Sequence, residues 1–360
     1  MKTGGDAIKG LILAGGSGTR LRPITRTGPK QLIPIANRPI IRYCVDDIMR
    51  CGISEIGIIL GNNYPEKIVD QLGNGKDIGV NFTYIRQGDP MGIAHAIGSA
   101  RDFLADENFV VYLGDNLLKS GISNIAGEFV RDKLDAMILL SKVREPSRFG
   151  VAVPDDNGNI VDLVEKPEKP PSPFALVGVY FLTKKIFPII DSLSPSARGE
   201  LEITDALRIL LRSGQGVGIR TVSGWWKDTG RVEDILEANR LILEDIYEKK
   251  SDPKDHIGSG TLLEGNAKIV GPVIIGKGCT ILSGTVIGPF VAVGDNCHIR
   301  GGQIRDSVID KNVEIECNRV MEKSLLGKGV TIKVSGRRGK NHGEVGNLTL
   351  VLGENSKAEF

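Results

Sequence analysis

Residues suited to binding phosphate lie close together near the amino end of the chain. A short aliphatic run ends in the glycine-rich segment 15–18, and Arg20 follows it. Glycine lets the backbone turn at positive φ and brings bare N–H groups close to an anion, while a guanidinium group forms a planar fork that matches phosphate oxygens. Lys30 adds a second cation on a segment stiffened by proline. This spacing predicts a phosphate-binding loop, with a tight glycine turn that binds nothing as the alternative.

Two common nucleotide-binding motifs are excluded by spacing. The dinucleotide fingerprint G-x-G-x-x-G would need a glycine where Leu21 stands, and the motif G-x-x-x-x-G-K-[ST] does not occur. We therefore expect neither of these sites at the loop.

Two aspartates could bind a hard divalent cation. Asp115 follows the aliphatic run 109–113, which predicts a buried strand, and Asp228 lies between bulky aromatic residues and a glycine turn at 224–230. A Mg²⁺ ion takes oxygen ligands and would need the two acids to be brought together. An aspartate after a strand is also a common turn residue or helix cap, so both interpretations stay open on these residues alone.

Alternating strands and helices must position these groups. Aliphatic runs at 11–14 and 56–60 predict buried strands, and apolar residues at helical spacing predict helices over 40–51 and 64–72. This order predicts a parallel, doubly wound sheet, in which ligands bind outside the carboxyl ends of the strands. The loop after the first strand, with its cations, is therefore expected at the ligand-binding edge.

Two polar features are interpreted as structural. His95, on a helix expected to open at Gly92, is taken as a packed or helix-terminal residue rather than a catalyst. The segment 198–206 is taken as structural too, with Thr204 and Asp205 as the start of the next apolar helix.

The last third of the chain follows a six-residue repeat. Such a period, with one inward aliphatic residue per step, predicts a hexapeptide β-helix. Cys279 and Cys297, which are 18 residues apart, should stack on neighbouring coils. The repeat slips at 301–310, a basic loop is expected over 334–342, and the closing segment 348–360 could form a capping strand. The repeated aliphatic residues are Ile257, Leu263, Ile269, Ile275, Ile281, Ile287, Val293 and Ile299.

Composition excludes several classes of protein. A chain of 360 residues with 41% hydrophobic residues can bury a large core, and a formal charge of +2 gives no reason to expect nucleic acid or an anionic membrane as a partner. The five cysteines form no C-x-x-C pair, which favours reduced thiols over disulfides or zinc. With no apolar run approaching 18 residues and no signal peptide pattern at 1–10, a cytoplasmic location is expected.

Two long motifs resemble one enzyme family. The sequence G-G-S-G-T-R-L-R-P-I-T at 15–25, followed by P-K-Q-L-I-P-I-A-N-R-P at 29–39, is similar to the sugar-1-phosphate nucleotidylyltransferases. Within them it most resembles the glucose-1-phosphate thymidylyltransferases of the long form. The resemblance implies a Rossmann-like α/β nucleotidyltransferase domain over 1–248, a linker at 249–256 and a left-handed parallel β-helix over 257–360.

The same resemblance implies roles for individual residues. Further matching motifs are R-F-G-V at 148–151, E-K-P at 165–167 and W-x-D-T-G at 226–230. Catalytic roles are implied for Arg20, Lys30 and Lys166. Metal binding, by Mg²⁺, is implied for Asp115 and Asp228. The implied nucleotide-binding residues are Leu13, Gly15, Gly16, Gly18, Thr19, Gln87, Gly92 and Asp115. The implied sugar-phosphate-binding residues are Gly150, Glu165, Lys166, Leu176 and Trp226.

The reaction that the resemblance implies joins two polyanions. An oxygen of glucose 1-phosphate would attack the α-phosphorus of dTTP and displace pyrophosphate. That oxygen is already ionised at neutral pH, so no general base is required, in agreement with a chain that offers no Ser-His-Asp or Cys-His arrangement. The amide of Gln87, with one donor and one acceptor, could pair with the O4 and N3 edge of thymine or uracil, and Gly92 would let the base lie against bare backbone.

Three alternatives stay open. UTP could replace dTTP, because a 5-methyl group and a 2′-hydroxyl each discriminate by only about 1 kcal/mol. The β-helix could carry a second, acetyltransferase site, with His298 or His342 recruited between the subunits of a trimer; a plain role in oligomerisation is the simpler interpretation. The chain could also be a non-catalytic regulatory homologue, although such proteins tend to lose the phosphate and metal residues that are present here.

Overall fold

The described residues of the computed structural model are 8–334 and 347–360. The basic loop expected over 334–342, and His342 within it, lie outside the described residues from 335 onward. None of the helices in the described part of the chain is long and apolar enough to cross a membrane.

Eight α-helices, six short 3-10 helices and 28 strands make up this part of the chain. The helices are α1 (Ile40–Arg50), α2 (Pro65–Leu72), α3 (Ile93–Gly98), α4 (Arg101–Leu104), α5 (Ser123–Arg131), α6 (Ile186–Ser192), α7 (Ile203–Arg212) and α8 (Val232–Tyr247). The strands before α8 are β1 (Ile8–Ala14), β2 (Pro34–Ile35), β3 (Arg38–Pro39), β4 (Glu55–Leu60), β5 (Asn81–Arg86), β6 (Asn108–Leu113), β7 (Asn116–Leu118), β8 (Ala136–Lys142), β9 (Gly150–Pro154), β10 (Ile160–Glu165), β11 (Phe174–Leu182), β12 (Val217–Thr221) and β13 (Trp226–Asp228). The strands after α8 are β14 (Leu262–Leu263), β15 (Lys268–Ile269), β16 (Val273–Ile275), β17 (Thr280–Ile281), β18 (Val286–Ile287), β19 (Val291–Val293), β20 (His298–Arg300), β21 (Gln303–Arg305), β22 (Ser307–Ile309), β23 (Glu314–Cys317), β24 (Val320–Glu322), β25 (Leu325–Leu326), β26 (Thr331–Val334), β27 (Val351–Leu352) and β28 (Lys357–Glu359).

Contacts divide the described residues into two compact units. The first comprises residues 8–17 and Ile41–Asp228, and the second comprises Gly18–Ile40 together with the described part of Thr229–Phe360. This division differs from the predicted one at 249–256, because segment 18–40 and α8 group with the strands that follow α8.

The first unit is built on a mixed sheet with the strand order β10-β9-β11-β6-β1-β4-β5. Strands β6, β1, β4 and β5 are parallel, which confirms the prediction from the alternating strands and helices. Strands β9, β10 and β11 run antiparallel, and this was not predicted. For β9 and β10 this follows from their connection, a tight turn in which Asp155 accepts from the N–H groups of Asn157 and Asn159, because only antiparallel strands can be joined by so short a loop.

The second unit contains three parallel sheets, as expected for hexapeptide repeats. They are β14-β17-β20-β23-β26-β28, β15-β18-β21-β24 and β16-β19-β22-β25-β27. Residues such as Ile281 and Ile299 pair across neighbouring coils and are fully buried, so the predicted inward positions are confirmed. The exposed Leu263, in the first coil, is an exception. The closing segment adds β27 and β28 to two of the sheets.

The predicted slip in the repeat corresponds to a shorter coil. Ile281 pairs with a residue 18 positions later, but Ile287 pairs with Ile304, 17 positions later, and Val293 pairs with Ile309, 16 positions later. One residue is lost between Ile299 and Ile304, where Gly301 and Gly302 turn at positive φ, and a second is lost between Ile304 and Ile309. The stacking of the two cysteines is confirmed, since both are buried and the residues that follow them, Thr280 and His298, pair across neighbouring coils.

Segment 18–40 is held within the second unit by two buried or half-buried amide contacts. The backbone N–H of Ala36 donates to the Asn239 side chain on α8 at 2.9 Å, and the Asn37 Nδ2 donates to the Val293 carbonyl on β19 at 2.6 Å. The long motif at 29–39 therefore packs on α8 and on the repeats.

Candidate active site

The first part of the predicted phosphate loop leaves the carboxyl end of β1 in the first unit. Leu13, a predicted nucleotide contact, is buried in that strand. Gly15 lies so close to Gly61, which follows β4, that a side chain on Gly61 would collide with the Gly15 carbonyl. A Cβ atom on Gly15 would lie 2.7 Å from the Oε1 of Gln87. Glycine at position 15 therefore allows the end of β1 to pack closely against the end of β4 and against the Gln87 side chain. Gly16 is exposed.

The rest of that loop belongs to the second unit. Gly18 has a φ of 64° and its carbonyl accepts the Thr25 hydroxyl at 2.7 Å. A Cβ atom at Gly18 would lie 3.4 Å from the Cβ of Lys30, so glycine permits close packing against this lysine. Thr19 and Arg20 form an exposed single turn, and Lys30 is half-buried. The second unit thus brings Gly18 and Lys30 together and presents Arg20 to solvent.

Gln87, at the end of β5, is the predicted reader of the base. Its Nε2 lies 3.3 Å from the Gly92 carbonyl and 3.3 Å from the His95 Nδ1. The sequence predicted that the donor and the acceptor of this amide would both face a base. In the structure the amide nitrogen instead contacts the Gly92 carbonyl and the His95 ring. Gly92, with a φ of 101°, is needed for packing as well, because a Cβ there would lie 2.5 Å from the Leu201 carbonyl.

The two predicted metal ligands come from adjacent strands. Asp115 lies between β6 and β7 and is 7% exposed, while Asp228 ends β13 opposite Asn116 in the antiparallel β7–β13 pair. The Asn116 Nδ2 donates to the Asp115 Oδ1 at 3.0 Å. Among the described residues no group of three or more His, Cys, Asp or Glu side chains could hold a metal. Two carboxylates nevertheless fit Mg²⁺, which is commonly bound by one or two acids plus the phosphates of a substrate.

Asn116 was missed by sequence analysis, although it follows Asp115 directly. Its buried Oδ1 accepts from the Trp226 Nε1 at 2.7 Å and from the Gly178 N–H at 3.1 Å. Trp226, predicted to contact the sugar phosphate, therefore uses its only donor inside the protein. Its ring packs edge-on against Phe149, with centroids 5.1 Å apart. We infer that Trp226 has a supporting role, because its side chain connects Asn116 with Phe149.

Three of the predicted sugar-phosphate-binding residues, Gly150, Glu165 and Leu176, come together with Thr204 in the structure. A Cβ atom on Gly150 would lie 2.6 Å from the Thr204 Oγ1, 3.3 Å from the Glu165 Oε2 and 3.4 Å from the Leu176 Cδ2. The bare Gly150 backbone is thus where these side chains meet. The helix start predicted at Thr204 is wrong, because α7 begins at Ile203 and the Thr204 hydroxyl donates to Glu165 at 2.6 Å.

Glu165 is surrounded by positive charge. Its Oε1 lies 3.3 Å from the Lys166 Nζ and 3.2 Å from an Arg198 nitrogen. Arg198 also pairs with the buried Glu202 at 2.8 Å, so the segment taken as structural in fact supports the predicted sugar site. Lys166 has a φ of 40°, which is costly for a residue with a side chain and is typical of functional sites. Its ammonium group is exposed and can reach an anion.

A further acceptor that the sequence did not reveal follows Lys30. The Gln31 side chain is 1% exposed, and its Oε1 has no hydrogen-bond partner among the described residues. Buried polar atoms are normally paired, so this unpaired oxygen is unusual.

Comparisons with known proteins identify the family of this chain. The model of the nucleotidyl transferase family matches residues 9–245, and that of the bacterial transferase hexapeptide, six repeats, matches 256–289. The chain is 45% identical to the low-salt glycan biosynthesis nucleotidyltransferase Agl11 of Haloferax volcanii, over 98% of this chain and 100% of the relative. It is 43% identical to a glucose-1-phosphate thymidylyltransferase of Streptomyces antibioticus, over 98% of this chain and 99% of the relative.

Two further proteins match about two thirds of the chain. The UTP–glucose-1-phosphate uridylyltransferase AglF of Haloferax volcanii is 35% identical over 66% of this chain and 98% of the relative. A crystal structure of a candidate glucose-1-phosphate thymidylyltransferase from Bacillus anthracis, in complex with a sucrose, is 42% identical with a TM-score of 0.62, and covers 65% of this chain and 95% of that one. The chain therefore belongs to the nucleotidyl transferase family, among the members that act on sugar 1-phosphates, and continues into hexapeptide repeats.

Proposed function

We propose that this protein transfers the thymidylyl group of dTTP to glucose 1-phosphate and releases pyrophosphate. The ring contact between Phe149 and Trp226 carries the proposal. Phe149 precedes Gly150 and Trp226 stands two residues before Asp228, so this contact supports a sugar site close to the predicted metal ligands. An acidic pair next to a sugar pocket is the arrangement that joining a sugar phosphate to a nucleotide requires.

Catalysis rests on positioning and on charge neutralisation. The attacking phosphate oxygen is ionised at neutral pH, so no residue has to remove a proton. Lys166 would hold the sugar phosphate in line with the α-phosphorus, and Arg20 and Lys30 would bind the nucleotide phosphates and the departing pyrophosphate. Such fixed cations favour the transition state because phosphoryl transfer spreads negative charge over the transferred group and the leaving oxygens.

Glu165 would recognise the sugar. Its carboxylate already accepts from Thr204 and faces Lys166 and Arg198, and these contacts fix its orientation. The lone pairs that remain can accept hydrogen bonds from hexose hydroxyls, and the side chain of Leu176 can pack against the sugar ring. Glucose as the hexose is proposed from the similarity to thymidylyltransferases.

Asp115 and Asp228 would hold a Mg²⁺ ion. When bound, the ion would neutralise the charge of the triphosphate oxygens. The protein's own contribution is to keep two carboxylates on paired strands, with the Asn116 amide donating to Asp115 and fixing its orientation.

UTP is the alternative nucleotide. Similar proteins include both a thymidylyltransferase and a uridylyltransferase, and the base edge that Gln87 would read is shared by thymine and uracil. An acetyltransferase at the repeats remains a secondary candidate: His298 is exposed on β20, where it pairs with Thr280 and Glu314. The homo-oligomer, expected as a trimer or a multiple of one, and the cytoplasmic location stay predictions.

The proposal is tested by pyrophosphate release from the purified protein with Mg²⁺. Each of dTTP, UTP, GTP, ATP and CTP is paired with glucose-, mannose-, galactose- and glucosamine-1-phosphate. We expect dTTP with glucose 1-phosphate to give the highest kcat/KM. A higher kcat/KM with UTP would make UTP the nucleotide substrate and leave the proposed mechanism unchanged. No release with any pair would contradict the proposal, and turnover of acetyl-coenzyme A would then be measured.

A further inference from the structure

We propose that His95 sets the base selectivity by fixing the orientation of the Gln87 amide. In this orientation only the Gln87 carbonyl oxygen faces the nucleotide, which selects a base with an N3–H group and rejects cytosine. The proposal rests on the proposed function, since it assumes that Gln87 reads the base of a nucleoside triphosphate. His95 would be a positioning residue, without contact to the substrate.

The neighbours of the Gln87 amide determine which way its nitrogen and oxygen point. The Gly92 carbonyl can only accept a hydrogen bond, so the group that faces it at 3.3 Å must be the Gln87 nitrogen. The same nitrogen lies 3.3 Å from the His95 Nδ1. A flipped amide would set its oxygen against the Gly92 oxygen and against the lone pair of the imidazole. Both neighbours therefore favour one orientation.

With its nitrogen occupied in this way, the Gln87 amide has only its oxygen left to contact a ligand. A primary amide carries two hydrogens, and Gly92 and His95 can take one each. The oxygen points the other way, toward Gly15, where a Cβ atom would lie 2.7 Å from it. Gln87 thus presents an acceptor alone. Thymine and uracil offer an N3–H donor to such an acceptor, whereas the N3 of cytosine is a lone pair that the oxygen repels.

The His95 imidazole can act as the acceptor for the Gln87 amide. An Nδ1 that accepts must leave the ring proton on Nε2. The half-buried ring also lines an open cleft of about 540 Å³, together with Arg101, Asp102 and Asp191, in which an Nε2–H can be solvated. The helix that carries His95 is anchored at its start, where the Ala94 N–H donates to the Leu201 carbonyl at 3.1 Å. His95 is thereby held in place.

The test compares two substitutions of one side chain. His95→Asn keeps an acceptor close to the position of Nδ1, whereas His95→Leu fills a similar volume without one. Pyrophosphate release is measured with nucleotide pairs that differ only at the base edge, dUTP against dCTP and UTP against CTP. Circular dichroism of both variants checks that they fold, and each substitution is also made in a Gln87→Ala background.

We expect His95→Leu to lower the preference for the uracil nucleotide over the cytosine nucleotide by about tenfold, the value of one neutral hydrogen bond. In His95→Leu the KM for the nucleotide should change, whereas kcat should change little. His95→Asn should retain the preference for uracil. In the Gln87→Ala background, His95→Leu should no longer alter the preference. An active wild type whose preference is the same in His95→Leu would overturn the role of His95. If His95→Leu does not fold, loss of the preference in His95→Asn would overturn it as well. A wild type inactive with every nucleotide would overturn the proposed function itself.

Discussion

The Thr204 hydroxyl donates to the Glu165 Oε2 at 2.6 Å, which ties α7 to the loop that would bind the sugar. Both atoms also lie within 3.3 Å of the point where a Cβ atom on Gly150 would stand. A residue that the sequence suggested only as a helix start thus orients the carboxylate at the centre of the predicted sugar pocket.

Removing that hydroxyl should weaken sugar binding selectively. Thr204→Val keeps the shape of the side chain but leaves one Glu165 oxygen without its donor, at a cost of about 1 kcal/mol or more. We expect the KM for the sugar phosphate to rise about tenfold and the KM for the nucleotide to stay unchanged. Steady-state kinetics with each substrate varied in turn measures both. Thr204→Ser, which keeps the donor, is the control, and equal changes in the two KM values would show that Thr204 acts on the fold alone.

Neutralising either acid of the pair should abolish most of the turnover. Asp228→Asn preserves size and removes the charge that would hold the Mg²⁺ ion, so we expect kcat to fall by about a hundredfold or more. The concentration of Mg²⁺ needed for half-maximal rate should rise at the same time. Asp106→Asn, at a highly exposed carboxylate paired with Lys184, is the matched control. A near-normal rate in Asp228→Asn would rule out the metal assignment.

Asn116 should contribute to stability as a buried acceptor. Asn116→Ala leaves the donors of Trp226 and Gly178 without their partner, and each buried unpaired donor costs about 1–3 kcal/mol. Urea denaturation should show a loss of about 2–4 kcal/mol in the free energy of unfolding. In a double variant with Trp226→Phe the combined loss should be smaller than the sum of the single losses, because one of the orphaned donors is gone. Strict additivity would mean that the two side chains do not interact.

Stability should also depend on the ionisation of Asp47. Burial raises the pKa of this carboxyl to about 6, although the Tyr112 hydroxyl and the Arg50 charge act to lower it. Because the folded state holds the proton more tightly than the unfolded state, the favourable contribution is complete below the unfolded pKa of 3.8 and is lost as the pH rises through about 6.

The variant Asp47→Asn tests this linkage, since it cannot titrate. Between pH values of about 4 and 7 the wild type should lose about 2 kcal/mol of unfolding free energy relative to the variant. Denaturation curves of the two proteins at a series of pH values give the difference directly. A difference that stays constant over this range would contradict a raised pKa at Asp47.

Much of the architecture could be predicted because it follows from local patterns. Alternating aliphatic runs gave the parallel half of the first sheet, and the six-residue spacing gave the three sheets of repeats. The antiparallel strands were missed because their pairing depends on contacts distant in the sequence, such as that of Val179 on β11 with Tyr112 on β6. The grouping of segment 18–40 with the repeats has the same cause, since Asn37 bonds to Val293, which lies 256 residues away.

The site was predictable only where a motif carried it. Glu165, Asp115 and Asp228 stand in recognisable short patterns, and all three lie in the first unit. Residues that orient them, such as Thr204 and Asn116, carry no pattern of their own because their partners come from other elements. Supporting contacts of this kind become visible only once the chain is folded.

The central claim, attack by the sugar phosphate on the α-phosphorus of dTTP, is tested most directly with an isotope label. Glucose 1-phosphate carrying ¹⁸O in its non-bridging oxygens is incubated with dTTP, Mg²⁺ and the protein, and the products are analysed by mass spectrometry. The account predicts that all of the label appears in dTDP-glucose and none in the released pyrophosphate. Label in the pyrophosphate, or formation of unlabelled dTMP without a nucleotide sugar, would contradict it.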